Sequence, residues 1–125
     1  MTRLSAALGP RLGRPAFALS ALGVAAASRA IPAIGVERVA QHLVHHLGRA
    51  DLGLYAHLIF APLALALAPL QLWRGLRARR PGLHRWSGRL YAVSIAVAAA
   101  GSLALLPTLL SGASARAGFG LLAVL

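Results

Sequence analysis

The sequence predicts an all-α membrane protein: a transmembrane helical bundle with two long spans, a shorter N-terminal span and a truncated fourth. Three observations carry this. First, 58% of the 125 residues are hydrophobic and only 12% are charged, with a mean hydropathy of +0.72. A water-soluble domain carries about a quarter charged residues, and half that number does not cover a solvated surface. Second, two uncharged runs stand out, 22 residues between Asp51 and Arg74 and 26 between Arg89 and Arg116. Roughly 20 apolar residues cross a bilayer as a helix. Third, six of the 13 basic residues crowd into "RGLRARRPGLHRWSGRLY", residues 74–91, between those two runs.

The N-terminal span is expected near residues 15–36. Only fourteen uncharged residues separate Arg14 from Arg29, which is short unless Arg29 snorkels outward. A signal peptide is the alternative, with Arg3, Arg11 and Arg14 as its basic region and Ala26 and Ser28 as small residues near a cleavage point. The Gly9-Pro10-Arg11 stretch disfavours it, so a retained helix is expected. Residues 37–49 read as an outer amphipathic helix. Val36, Val39, Leu43 and Leu47 line one side, and Arg38, His42, His45 and Arg49 the other. His42 and His46 are four apart, as two metal ligands on a helix would be. A zinc site wants a third ligand, and only Glu37 and Asp51 offer carboxylates. Solvated histidines on an interfacial helix are therefore expected.

The second and third spans are expected near 53–73 and 87–110. Backbone in hydrocarbon must bond to itself, so these runs are helical. Pro62, Pro69 and Pro107 break soluble helices but are tolerated in membrane ones. Residues 74–86 form an arginine-rich loop, with its turn at Pro81-Gly82. Short arginine-rich loops stay cytoplasmic, so this one is placed inside, facing anionic phospholipid headgroups. After the turn-like residues 111–118, a fourth apolar run starts at 118–125 and stops. Seven apolar residues cannot span, so truncation or a partner half is expected. Residues 1–125 thus make a single membrane domain.

Other chemistries find little support. The chain has no cysteine, which excludes disulfides and thiolate ligands. It has no nucleophile elbow, phosphate-cradling glycine loop or paired carboxylates. Nucleic-acid binding wants aromatic platforms or a basic helix on a soluble scaffold, and neither is present.

Two polar stripes remain. On the second span His57, Ala61, Ala64, Ala68, Gln71 and Gly75 share one helical face, and Phe60, Leu63, Leu67 and Leu70 form a bulky row suited to lipid. On the third, His84, Ser87, Tyr91, Ser94, Ala98 and Gly101 share another. Small and hydroxylated faces let membrane helices approach closely. Ionisable residues inside spans are functional candidates by default, so His57, Gln71, His84 and Tyr91 are the candidate cofactor-binding residues of a haem b or quinone slot between the helices. The two histidines lie at opposite ends and do not share one iron. If the stripes form the shared interface, Gln71 approaches His84 and His57 lies beside Gly101 and Ser102.

Within this stretch, His57, Pro69, Gln71, Arg77, Leu83, His84, Arg85, Trp86, Gly88, Arg89 and Tyr91 carry a pattern. It is an early His, a late Pro-x-Gln, an arginine-rich loop, and Leu-His-Arg-Trp-x-Gly-Arg-x-Tyr. It resembles the predicted bacterial membrane proteins grouped as domain of unknown function 2306. Ala68 stands where that pattern usually has glycine, tightening the space beside Gln71. The resemblance implies a multi-pass helical protein of the bacterial inner membrane, continuing into further helices with a second His-Arg-rich loop. It implies no reaction. The functional expectation is an integral membrane protein with a histidine-lined slot, the alternative being a non-catalytic subunit or small transporter component. Other membrane helices are the expected protein partners.

Because the chain has no cysteine of its own, single cysteines report cleanly on sidedness. Ala78→Cys and Ala113→Cys are expected to react with an impermeant maleimide from opposite faces of the membrane. Labelling from the same face would overturn the hairpin of second and third spans.

Overall fold

The computed structural model describes residues 2–109 and 112–124, with side chains from Pro15 onward except residues 42 and 124. The side chains of Arg3, Arg11, Arg14 and His42, singled out above, lie outside the described residues. The described chain is almost entirely helical. Three helical segments are long and apolar enough to cross a membrane: Pro15–Ile34, Asp51–Leu72 and Pro81–Thr108. A shorter helix follows them at Ala113–Val124.

Helix α1 (Thr2–Ser28) leads into two short helices, α2 (Ala30–Ile34) and α3 (Val36–Val39). Gly35 separates them at φ 106°, a conformation that L side chains rarely adopt. A 3-10 helix, Gln41–His46, follows. The amphipathic helix expected over 37–49 is therefore broken, and its apolar side faces inward. Val36 and Ala40 are buried with Leu54 and Leu58, and Leu43 and Leu47 pack on that cluster. Val39, expected on the same side, is exposed. Burial against the second long helix outweighs one uninterrupted ladder here.

Gly48, at φ 75°, turns the chain and donates its N–H to Asp51 Oδ1 at 2.7 Å. Helix α4 (Asp51–Leu72) then runs unbroken through Pro62 and Pro69. Each proline removes an N–H, leaving the carbonyls of Leu58 and Leu65 without their helical donor. Helix α4 is the middle element, packed on α1 at one side and on α6 (Pro81–Leu105) at the other. Both neighbours run antiparallel to it. Ala21 and Ala25, one turn apart, are buried on α1, small enough for close contact with α4.

The arginine-rich connector, expected as a loop, is mostly helix: α5 (Arg74–Arg79) sits between breaks at Trp73 and Arg80. Pro81, expected in a turn, occupies the first turn of α6. Proline suits that position because its missing N–H has no helical partner anyway. It also drives the preceding Arg80 out of the helical region, to φ −138° and ψ 69°. Beyond α6 a 3-10 turn, Leu106–Thr108, precedes α7 (Ala113–Val124). Helix α7 includes most of the stretch expected as a turn. Arg116 holds its start by donating to the Leu109 carbonyl at 2.8 Å.

Two glycines set the separation of α4 and α6. A Cβ on Gly101 would lie 2.6 Å from the Gly53 carbonyl oxygen and 2.9 Å from His57 N, while one on Gly53 would lie 2.8 Å from Ala104 Cβ. Backbone cannot yield as a side-chain tip does. Gly101→Ala is expected to destabilise the hairpin by about 1–3 kcal/mol, the usual scale of overpacking. Gly23→Ala, with nothing within 4 Å, should be neutral or slightly stabilising. Unfolding of both variants in detergent checks the contrast.

Candidate functional site

The two polar stripes meet. Ser87, Ser94, Ala98 and Gly101 are buried on α6, and Gly53 and Ala64 on α4. Ser94 is fully enclosed and returns its hydroxyl to the Leu90 carbonyl of its own helix at 2.8 Å. Gly75, expected to continue the α4 stripe, lies beyond the break and faces the Trp73 indole instead. Phe60, Leu63 and Leu67, expected toward lipid, are half-buried.

At one end of the seam His57 reaches across to α6. Its Nδ1 lies 3.0 Å from the Ala98 carbonyl oxygen and 2.7 Å from Ser102 Oγ. A carbonyl only accepts, so a bond to Ala98 requires the ring proton on Nδ1, shared with the Ser102 hydroxyl oxygen as a second acceptor, and leaves the lone pair on Nε2. The missing side chain at Gly101 makes the space: its virtual Cβ would lie 3.3 Å from His57 Cβ. The expected neighbourhood of His57, Gly101 and Ser102 is present.

At the other end Gln71 donates from Nε2 to Ser87 Oγ at 3.1 Å, and the Ser87 hydroxyl donates to the His84 carbonyl at 3.1 Å. The side-chain partner of Gln71 is thus Ser87, where His84 was expected. Serine sits one turn further into α6, level with Gln71, and Gly88 beside it leaves room for the amide oxygen. The His84 ring is only partly buried, but its Nδ1 is enclosed and has no hydrogen-bond partner among the described residues. Tyr91 is half-buried on α6, and no hydrogen bond among the described residues ties it to His57, Gln71 or His84. Fourteen residues of α6 separate His84 from Ala98, roughly 21 Å along the axis. Of the four candidates, then, Gln71 adjoins the first turns of α6 where His84 lies, and His57 stands at the far end.

A third polar contact was not legible in the sequence. His46 is buried and bonds through Nδ1 to Thr108 Oγ1, joining the 3-10 helix to the end of the third span. The Thr108 hydroxyl donates to the Leu105 carbonyl at 2.8 Å, so its oxygen accepts from His46. The His45 and His46 rings lie 3.9 Å apart, and His45 Nε2 is enclosed without a partner among the described residues. Among the described residues no group of three His, Cys, Asp or Glu side chains is placed to hold a metal ion.

Burial, and after it the neighbouring His45, pushes the His46 imidazole below its ordinary value of 6.5. The unfolded chain therefore binds a proton at a pH where the folded one resists it. The contribution of His46 is complete above about pH 6.5 and is lost as pH falls toward the folded value. Amide exchange over residues 36–47 is expected to quicken as pH falls from 7.5 to 5.5, after correction for intrinsic rates. His46→Asn, which keeps a donor near the Nδ1 position, should remove most of that acid sensitivity. Persistence in the variant would assign the effect elsewhere.

A family model described as "Predicted membrane protein (DUF2306)" matches residues 54–125, more than half of the chain. No curated protein and no solved structure matches it.

Proposed function

The chain belongs to the domain of unknown function 2306 family of bacterial multi-pass membrane proteins, and from that premise we propose that it serves as a non-catalytic helical subunit of the inner membrane. One observation carries the reading. His57 and Gln71, the polar side chains of the α4 stripe, spend their hydrogen bonds on the facing helix, at Ala98, Ser102 and Ser87. The seam takes up Nδ1 of His57 and Nε2 of Gln71, two of the groups a slot between these helices would have offered. Outward the bundle is apolar, with Leu19, Val24, Ile59 and Val93 exposed. Such a surface suits lipid tails and other membrane helices.

The proposal includes sidedness. The arginine-rich segment around 74–85 lies at the cytoplasmic face against anionic headgroups, and residues 37–49 lie outside. Residues 1–125 act as one membrane domain whose partners are other helices.

A second reading rests on the tautomer of His57. With Nδ1–H on the Ala98 carbonyl, Nε2 keeps its lone pair, the arrangement usual for a metal-bound histidine. Haem b bound there would take its other ligand from a further helix, and the enclosed Nδ1 of His84, unpartnered among the described residues, marks a second position at the opposite end.

An absorption spectrum of the full chain, purified from haem-replete cells, separates the two. We expect no Soret band, and a coupling of roughly 0.6–1 kcal/mol between Gln71→Leu and Ser87→Ala in a double-mutant cycle of unfolding. A Soret band that disappears in His57→Leu would replace the subunit reading with the haem reading.

A further inference from the structure

At the arginine end α1 and α4 part around a cavity of about 800 Å³. Its walls include Phe17 and Ala18 from α1, and Leu70 and Trp73 from the end of α4. The break at Trp73 opens it. There the chain leaves the helical region, at φ −82° and ψ 96°, and the indole folds over Gly75. A Cβ on Gly75 would lie 3.0 Å from Trp73 Nε1.

Among the described residues the lining is apolar except at the rim, where Arg74 is the single charged residue. Arg74, Arg77, Arg79 and Arg80 are all exposed. The only acidic residues of the chain are Glu37 and Asp51, and both stand at the opposite end. Asp51 begins α4, which is 22 residues long, or roughly 33 Å, and Arg74 lies beyond its other end. The guanidinium at the rim therefore has no carboxylate of its own.

A volume of this size is in the range of small-molecule sites, about 300–1,000 Å³. Its chemistry is that of an amphiphile: one anionic group for a guanidinium, which binds phosphate through a fork of donors, and an apolar chain for the walls. Tryptophan sits at headgroup depth in membrane proteins, which places the rim where a phospholipid phosphate lies. A water-soluble anion would leave the walls unmatched, and a lipid without net charge would leave the arginines unmatched. We propose that this crevice seats one anionic phospholipid, its phosphate on Arg74 and an acyl chain along Phe17, Ala18 and Leu70.

Trp73 is itself the reporter once Trp86, the other of the two tryptophans, is changed to Phe. The full Trp86→Phe chain is placed in nanodiscs containing brominated phosphatidylglycerol or brominated phosphatidylcholine over the same series of mole fractions. The anionic lipid is expected to quench Trp73 at a several-fold lower mole fraction. Arg74→Gln should abolish that advantage although the other arginines remain, and Ala18→Phe, on the opposite wall, should abolish it by filling the slot. Equal quenching by both lipids would overturn the proposal. So would an advantage that survives both substitutions, since the diffuse arginine field would then be its source. Quenching by neither lipid would mean that a protein segment fills the crevice, and would overturn it equally.

Discussion

Everything in this bundle depends on how closely the backbones of α4 and α6 approach. Gly53 and Gly101 remove two side chains at the crossing, and a Cβ on Gly101 would lie 2.6 Å from the Gly53 carbonyl oxygen. Lipid supplies no hydrophobic drive between helices, so dispersion contacts and interhelical hydrogen bonds do the holding. Both need short distances. With a side chain at either glycine the helices would separate, and His57 would lose its reach to the Ala98 carbonyl. The glycines come before the polar contacts in the logic of the structure, though neither carries chemistry.

Given that approach, the seam divides its polar groups by type. Serines deep in α6 settle locally: Ser94 bonds back to its own helix, and Ser87 returns its proton to His84 while accepting from Gln71. Longer side chains cross. His57 and Gln71 sit near the two ends of α4, and each reaches a group on α6. A cross-bridge at each end resists sliding and rotation better than two in the middle would. Between the bridges Ala64 on α4 and Ser94 and Ala98 on α6 are buried together with Leu58 and Pro62.

The long elements were legible because hydrocarbon imposes one rule on the backbone: an uncharged run of sufficient length is a helix. The α4 and α6 faces followed from spacing by threes and fours, and with them the pairing of His57 with Gly101 and Ser102. Four features were not legible. Gln71 found Ser87 instead of His84 because axial level, set by where Pro81 begins α6, decides between candidates one turn apart. The outer segment broke at Gly35 and after Val39 because its apolar residues follow the surface of α4, and periodicity cannot report a surface elsewhere in the chain. His46 bonds to Thr108 across 62 positions of sequence, and no local pattern announces such a pair. Likewise the crevice beside Trp73 arises from a helix break that carries no proline.

The arginine end has a consequence for the history of the molecule. Taking one arginine through the centre of a membrane costs about 2.5–3.5 kcal/mol, and residues 74–89, the connector together with the start of α6, carry six of them. Reversing the hairpin after insertion would drag all six across, a barrier on the order of 15–20 kcal/mol before any packing is lost. A lysine could shed its proton to make the passage, but a guanidinium stays charged at any physiological pH. The orientation adopted during synthesis is therefore a kinetic commitment. The hairpin keeps it however loosely its helices are packed.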